Sequence, residues 1–282
     1  MCAIVSWAGK LPPRLLQNLL VEAECRGKDG TGIAFRDNDK KELVLYKTDD
    51  RARTFAREQK THLREAKLSH RGIMHTRRAS IGMPIDGKNA HPFTYLNYMF
   101  AHNGSVKMWR EFRDHEIIQT EAELEICDPD DVQLRVTLEK KIDYLTNART
   151  DSMVLGPLIN RRDLSEVKGS FGLTWLHGDK AYAMYSRQDL VGFKCNWEYV
   201  PGEGKDLRPR SFSLVASTAG IVHRAFAALA PNTITYDLIE LELLEAHVYR
   251  LEPDTLWDEG AIPVNTDNDV DQFTRGELQE KV

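Results

Sequence analysis

Apolar segments of strand length dominate the sequence, and they do not alternate regularly with helical segments. The first of them, residues 2–8, is uncharged and predicts a buried strand that begins with a cysteine. Further strands are predicted at 32–36, 43–47, 70–80, 95–102, 170–176, 180–186, 212–217, 233–240 and 244–250. Helices are predicted at 12–26 and 51–66, and in pieces across 105–149. This grouping favours an α+β fold with stacked antiparallel sheets and helical layers.

Loops and a tail are predicted where glycine, proline and charged residues accumulate. Residues 193–211 predict a long loop. Thr150 is predicted to be the N-cap of a helix that contains the apolar run Met153–Ile159. We expect one domain over residues 1–252, and an acidic C-terminal tail over residues 253–282 that is at least partly disordered.

Charge and cysteine content exclude several classes of protein. The chain has 38 Lys and Arg residues against 43 Asp and Glu residues, a formal net charge of −5, which argues against a general polyanion binder. No apolar run is long enough to span a membrane, and no secretory signal is visible. Four cysteines without a CxxC pair predict free thiols rather than a disulfide framework. We therefore expect a cytoplasmic protein that does not bind membranes.

Cys2 is the residue with the clearest chemical potential. The initiator methionine is expected to be removed before a small second residue, and Cys2 would then carry a thiol and a free α-amino group. An α-amino group has a pKa of about 7.7–8.0, so it can act as a base near neutral pH. One residue would then supply both nucleophile and base. The alternative is that Cys2 is a small buried hydrophobic residue, as many free cysteines are.

Six short motifs occur along the chain in a fixed order. They are Met1–Val5, Arg26–Gly32, His75–Gly82, Asn89–Phe93, Ala101–Gly104 and Thr150–Ser152. In this order they resemble the class II glutamine amidotransferase domain, and most closely the glutaminase domain of glucosamine-6-phosphate synthase. The resemblance spans about residues 2–250, and it is specific because five motifs are in register with a cysteine at position 2.

The resemblance implies a fold and a reaction. The fold would be the Ntn-hydrolase sandwich, in which two stacked, mainly antiparallel sheets lie between helical layers in an αββα arrangement. Cys2 would attack the side-chain amide of glutamine, form a glutamyl thioester and release ammonia. Asn103 and Gly104 would donate hydrogen bonds to the tetrahedral oxyanion.

The resemblance also implies a set of substrate-binding residues. Arg77 would pair with the α-carboxylate of glutamine, for which a planar guanidinium is suited. Asp151 would bind the α-ammonium group, so that the two charges together select a free amino acid. Ser80, where the family has threonine, could bind at the carboxylate end, and His91 would line the site.

Structural explanations stay open for the same residues. Arg77 could be an exposed strand arginine, Asp151 could lie at a helix N-terminus, and Asn103-Gly104 could form a hairpin turn. His91 could be purely structural. No metal-ligand spacing is present, so we predict neither a metal site nor another cofactor.

The chain departs from the family pattern at several positions. Arg78 replaces a tryptophan that lies near the ammonia exit, and Ile81, Gly30 and Ala3 replace a histidine, a serine and a glycine. A guanidinium at position 78 would make a poor hydrophobic gate and a good anchor for a carboxylate or a phosphate.

The expected partner is a separate ammonia-accepting synthase, because neither a P-loop nor a Rossmann motif is present for amidation within this chain. Residues 110–149 and 194–211 look added to the family pattern. Basic and aromatic residues of the second segment can suit a nucleotide or nucleic-acid acceptor, although an ordinary solvated loop is the favoured explanation. Two rival functions remain: an Ntn amidase for another amide, and a catalytically silent Ntn-fold interaction protein.

Overall fold

The structure is a computed structural model that describes residues 1–80, 84–188, 190–200, 208–229 and 234–264. The strands are β1 (Ala3–Gly9), β2 (Thr31–Arg36), β3 (Leu43–Thr48), β4 (Arg71–Thr76), β5 (Phe93–Tyr95), β6 (Tyr98–Val106), β7 (Gly169–His177), β8 (Lys180–Ser186), β9 (Val191–Tyr199), β10 (Arg210–Ala216), β11 (Ile234–Leu241), β12 (His247–Glu252) and β13 (Thr255–Ala261). The helices are α1 (Leu15–Ala23), α2 (Ala52–Glu58), α3 (Lys60–Leu68), α4 (Trp109–Ile126), α5 (Val132–Thr146), α6 (Leu155–Arg161) and α7 (Ala219–Ala227). None of these helices has the length and apolarity that a bilayer-spanning segment requires.

Two antiparallel sheets form the centre of the molecule. The first has seven strands in the order β11-β9-β10-β1-β4-β2-β3, and the second has six in the order β13-β12-β8-β7-β6-β5. Neighbouring strands are antiparallel throughout both sheets. The predicted arrangement of stacked antiparallel sheets is therefore confirmed.

Three apolar clusters separate the four layers of the sandwich. One packs the seven-stranded sheet against α1, α2, α3 and α7. A second packs the six-stranded sheet against α6 and the end of α5, with aromatic residues of α4 at its border. The third lies between the two sheets and includes Ile4 and Ile73 from one sheet and Ala101 and Leu251 from the other. Because each sheet is apolar on both faces, only a helix-sheet-sheet-helix order covers all four surfaces.

Strand β1 shows how this order arises from the sequence. Ala3, Val5 and Trp7 belong to the helix-facing cluster, whereas Ile4 belongs to the cluster between the sheets. Alternate residues of a strand point to opposite faces, so an uninterrupted apolar run is what a strand in this position needs. Trp7 also needs a glycine beside it, because a Cβ at Gly72 of β4 would overlap the indole ring. The predicted buried strand at 2–8 thus lies at the centre of its sheet.

Three expectations differ from the structure. The loop predicted over 193–211 is largely strand: β9 and β10 pair along their length, and residues 201–207 lie outside the described residues. Thr150 does not cap a helix, because α6 begins at Leu155 after Val154. Strand β13 pairs with β12 across the expected domain boundary at 252/253, so the sheet continues to Ala261, and the tail from 265 onwards lies outside the described residues.

Candidate active site

A cleft of about 330 Å³ opens where β1 begins and where β4 and β6 end. Its lining includes residues from the start of the chain, the segment 77–110 and the segment 150–152, whereas the motif Arg26–Gly32 is not on the described lining. Of the residues predicted to form the site, those on the lining are Cys2, Arg77, Ser80, His91, Gly104 and Asp151. Asn103 is buried beside the cleft and is not part of its described lining.

Cys2 immediately precedes β1, and its sulfur faces the backbone of Arg78. The Arg78 N–H donates to Sγ at 3.2 Å, and Sγ lies 3.6 Å from the Arg78 carbonyl oxygen. Burial raises the pKa of the Cys2 thiol, and the hydrogen bond from Arg78 opposes that rise. The resting thiol is therefore held protonated, and it needs a base before it can act as a nucleophile.

The backbone of Cys2 is held from a second side. Arg26 donates from Nε to the Cys2 carbonyl oxygen at 2.9 Å. Met1 is 67% exposed at the mouth of the site, and burial together with Arg78 lowers the pKa of the α-amino group that it carries. The α-amino group of Met1 is thus easier to deprotonate than one in a free peptide.

Arg77 leaves the end of β4 and is packed against the glycine-rich turn at 26–32. The Arg77 N–H donates to the Gly30 carbonyl at 2.7 Å, and the Asp29 N–H donates to the Arg77 carbonyl at 2.8 Å. A Cβ at Gly27 would lie 2.5 Å from the Arg77 carbonyl carbon, so only glycine allows this close approach. The side chain is 5% exposed and donates from Nη1 to the Pro84 carbonyl at 3.0 Å. Arg77 is therefore a buried, oriented cation rather than an exposed strand arginine.

Asp151 is a half-buried carboxylate fixed by two backbone amides. The Val106 N–H donates to Oδ2 at 3.0 Å, and the Ser152 N–H donates to Oδ1 at 2.9 Å. A carboxylate has about four lone-pair positions, so these bonds leave capacity for a further donor from the cleft. Asp151 and Arg77 place one negative and one positive charge on the lining of the same cleft.

Asn103 and Gly104 lie within β6, opposite Gly172 and Phe171 of β7, and not in a hairpin turn. The Asn103 Nδ2 donates to the hydroxyl of Ser217 at 3.3 Å. Gly104 has φ +127°, and a Cβ there would overlap the Ser170 carbonyl oxygen, so the position requires glycine. The backbone of Gly104 consequently reaches the cleft without a side chain in front of it.

Three buried histidines lie at the cleft: His91 and His102 are on its lining, and His75 lies beside them. The His75 Nε2 lies 3.2 Å from the His102 carbonyl oxygen, and the His102 Nδ1 lies 2.9 Å from the Ser152 hydroxyl. Both ring nitrogens of His91 lack a hydrogen-bond partner among the described residues, and its ring lies 4.2 Å from that of His75. Burial lowers the pKa of His75 to about 3 and also lowers those of His91 and His102. All three are therefore neutral at physiological pH.

Trp109 and Arg110 also line the cleft, and the sequence analysis did not single them out. They form the first turn of α4, which directly follows the motif Ala101–Gly104. The signal that could have identified them is this position, since the first residues of a helix that follows a site strand face the same side as the strand end. Arg78 lines the cleft as well, beside Cys2. Ser80 lies exposed at the rim.

No group of three or more metal-ligating side chains is found within the described ranges. Trp197, which suggested a nucleotide-binding loop, is buried in the helix-facing core, and its indole N–H donates to the Lys10 carbonyl at 2.7 Å. Its ring is not available to stack on a base. The nucleotide-acceptor hypothesis therefore loses the aromatic residue on which it most depended.

Sequence comparison finds relatives among the glutamine–fructose-6-phosphate aminotransferases. No family model matches the sequence. The chain is 27% identical over 199 residues to a glutamine–fructose-6-phosphate aminotransferase (isomerizing) of Acinetobacter baylyi, and 31% identical over 184 residues to one of Rhizobium meliloti. Each alignment covers 64% of this chain and 27% of the relative. The chain thus spans about a quarter of the length of the curated relatives that it matches.

Solved structures give the same answer for the fold. A glutamine phosphoribosylpyrophosphate amidotransferase from B. subtilis superposes with a TM-score of 0.53 at 17% identity, over 92% of this chain and 49% of that one. The Ntn-hydrolase fold expected from the motifs is confirmed. The relatives found are consistent with the expected resemblance to the class II glutamine amidotransferases. In this fold, the described cleft lies at the start of the central strand β1.

Proposed function

We propose that the chain is a glutamine amidotransferase whose nucleophile is Cys2. The observation that carries the proposal is the position of the Cys2 sulfur, 3.2 Å from the Arg78 N–H, in a cleft also lined by Arg77 and Asp151. A thiol beside one oriented cation and one oriented carboxylate matches an amino acid zwitterion with a reactive side-chain carbonyl. Homology to glutamine amidotransferases supports glutamine as that amino acid.

The reaction would proceed in two steps. The Cys2 thiol gives its proton to a base and adds to the carboxamide carbon; the C–N bond then breaks, and ammonia leaves with the proton. Water hydrolyses the resulting thioester to glutamate. The base would be the α-amino group of Cys2 itself, which requires that Cys2 be the first residue of the mature protein.

Arg77 and Asp151 would orient the substrate, and Asn103 and Gly104 would stabilise the oxyanion. The Asn103 amide nitrogen has two N–H groups, of which one is used by Ser217, and the second is proposed to reach the oxyanion together with the Gly104 N–H. Loss of one such donor typically lowers the rate by about 10²–10³. His91 is neutral and has no hydrogen-bond partner in the described part of the chain, so it would offer a ring nitrogen to the substrate. Ser80 would bind at the carboxylate end from the rim of the cleft.

The proposal includes transfer of the ammonia to a separate acceptor enzyme. Neither a P-loop nor a Rossmann motif is present in the sequence, so this chain carries no recognisable nucleotide site to activate an acceptor. The acceptor must be an electrophile that the separate enzyme activates, so that ammonia can attack it.

The test is release of glutamate from glutamine by protein whose N-terminal mass proves that Cys2 is the first residue. Cys2→Ala should abolish release, whereas Cys25→Ser, which removes an exposed free thiol, should not change it. If no glutamate is released, labelling of Cys2 by an electrophilic glutamine analogue distinguishes a partner-dependent enzyme from the silent interaction protein. Equal activity on amides that lack the α-ammonium and α-carboxylate groups would instead support the general amidase.

A further inference from the structure

The cleft holds more positive charge than a free glutamine can neutralise. Its lining contains the guanidinium groups of Arg77, Arg78 and Arg110, together with the carboxylate of Asp151. Under the proposed function, Arg77 and Asp151 are matched to the two charges of the glutamine zwitterion. Arg78 and Arg110 are left over, and neither forms an ion pair with a described residue. Two guanidinium groups that face one cleft without a counter-ion indicate an anionic ligand.

Arg78 is placed directly beside the reaction. Its backbone N–H and carbonyl both face Cys2 Sγ, at 3.2 and 3.6 Å, so its side chain starts beside Cys2, and the residue is part of the cleft lining. Arg77, the preceding residue, is 5% exposed, whereas Arg78 is exposed to solvent. The two arginines therefore differ in role: Arg77 is buried where the amino acid is proposed to bind, and Arg78 is exposed at the open end of the cleft.

Arg110 approaches from the six-stranded sheet's helical layer. Its guanidinium carbon lies 4.5 Å from the centre of the Trp109 ring, a stacked arrangement that orients the cation. The N-cap of α4, Met108, offers no side-chain acceptor, so the partial positive charge of the helix N-terminus adds to that of Arg110. Arg113 also lies over Trp109, at 5.6 Å, but pairs with Asp114 and does not line the cleft.

We propose that Arg78, Trp109 and Arg110 form a second subsite, which binds an acidic group carried by the amine on the nitrogen side of the scissile amide. The ligand class is a primary amine that bears a carboxylate or a phosphate. This inference rests on the proposed function of Cys2. A site that binds only glutamine and releases ammonia would need no further cation, so the second subsite distinguishes this cleft from such a site.

The same subsite serves two directions of one reaction. With a γ-glutamyl amide, the Cys2 thiol adds to the carbonyl, the C–N bond breaks, and the acidic amine leaves with the thiol proton. With glutamine as donor, the acidic amine's nitrogen attacks the thioester carbonyl, the C–S bond breaks, and the amine proton returns to the sulfur. In the first direction the acidic amine is part of the substrate, and in the second direction it is the acceptor.

The experiment compares charged and neutral partners of equal size. Protein with Cys2 verified as its first residue is given γ-glutamyl-β-alanine or γ-glutamyl-β-alaninamide, and kcat/KM is measured for each. A second arm supplies glutamine with β-alanine or β-alaninamide and measures the γ-glutamyl product by mass spectrometry. We expect the acid to be preferred by about 10-fold or more in at least one arm, the size of a charge-assisted hydrogen bond. The arm that shows the preference identifies the source.

Variants connect the preference to the residues. Arg78→Gln and Arg110→Gln should each bring the acid-to-amide ratio towards one, whereas Arg113→Gln should keep it. A ratio near one in both arms for an enzyme that hydrolyses glutamine would overturn the subsite and leave the proposed function intact. A preference that survives in both subsite variants would overturn it as well. Absence of any γ-glutamyl cleavage, together with absence of Cys2 labelling by the electrophilic glutamine analogue, would overturn the proposed function itself.

Discussion

The hydroxyl of Ser217 accepts a hydrogen bond from the Asn103 side-chain amide at 3.3 Å. The same oxygen accepts the N–H of Ile4 at 2.9 Å, two residues after Cys2. Ser217 follows β10, which lies next to β1, whereas Asn103 belongs to the other sheet. One buried hydroxyl thus connects the strand that follows the proposed nucleophile to the proposed oxyanion donor.

Replacement of Ser217 by alanine should therefore affect turnover more than substrate binding. The change leaves the Ile4 N–H and the Asn103 amide without their acceptor, which costs about 1–3 kcal/mol of stability when such groups are buried. We expect kcat for glutamine hydrolysis to fall about 10-fold, because a displaced oxyanion donor costs up to 10²–10³. KM should change little, since Arg77 and Asp151 do not contact Ser217.

Ser213→Ala is the matched control for this variant. Ser213 is equally buried in β10, but its hydroxyl has no hydrogen-bond partner among the described residues. Its removal should alter neither kcat nor KM. If folded Ser217→Ala protein had wild-type kcat, Ser217 would have no positioning role.

Much of the fold and the site could be predicted because their signals are local. The apolar run at 2–8 and the hairpin at 170–186 carry their pattern within a few residues, and both were predicted correctly. The alternating buried residues Phe193, Cys195 and Trp197 are typical of a strand. The glycines and prolines that follow them indicate a loop and obscure this signal in the sequence. Helix α7 was not predicted. Its apolar residues pack on the helix-facing core.

The rest of the site depends on contacts between distant segments. Ser217 is 114 residues away from Asn103, and nothing in its own neighbourhood marks it. Arg110 is likewise one of many charged residues in its segment until α4 places it on the cleft. A sequence pattern can identify residue types that suit a reaction, whereas the partner of each residue follows only from the stacking of the two sheets.

Gly27 should control the affinity for glutamine through Arg77. In Gly27→Ala, the new Cβ would lie 2.5 Å from the Arg77 carbonyl carbon and 2.6 Å from the Thr76 carbonyl oxygen, so the backbone must move. Such overpacking costs about 1–3 kcal/mol of stability. We expect KM for glutamine to rise several-fold, measured by steady-state kinetics.

Gly220→Ala provides the comparison for Gly27→Ala. Gly220 lies in the first turn of α7, where the nearest atom to a new Cβ is the mobile Nη1 of Arg224 at 3.0 Å. Alanine is favoured over glycine in helices by about 0.5–1 kcal/mol, so this variant should be as stable as the wild type or more so. A similar KM in both variants would contradict the role assigned to the turn.

Asp151 should discriminate glutamine from glutaramate, the analogue that lacks the α-ammonium group. Glutaramate brings no ammonium group to the Asp151 carboxylate of the wild type. Its kcat/KM should therefore be at least about 10-fold lower than that of glutamine. Asp151→Asn should lose most of this discrimination, because no charge is left to be neutralised. Asp163→Asn, at an exposed carboxylate outside the cleft, should retain it. If Asp151→Asn discriminated between glutamine and glutaramate as strongly as the wild type, another group would have to bind the α-ammonium group.

The buried histidines should make the protein lose stability below about pH 6.5. Burial lowers the pKa of His75 from its usual 6.5 to about 3, so between these values the unfolded chain binds a proton that the folded protein excludes. Stability is then fully present above pH 6.5 and declines as the pH falls towards 3. For His75 alone, the loss between pH 6.5 and pH 5 is about 2 kcal/mol. Urea denaturation at pH 7.0, 6.0 and 5.0 measures this slope, and His75→Gln should reduce it, whereas His115→Gln, at an exposed position of α4, should not. An unchanged slope in His75→Gln would mean that other groups cause the acid sensitivity.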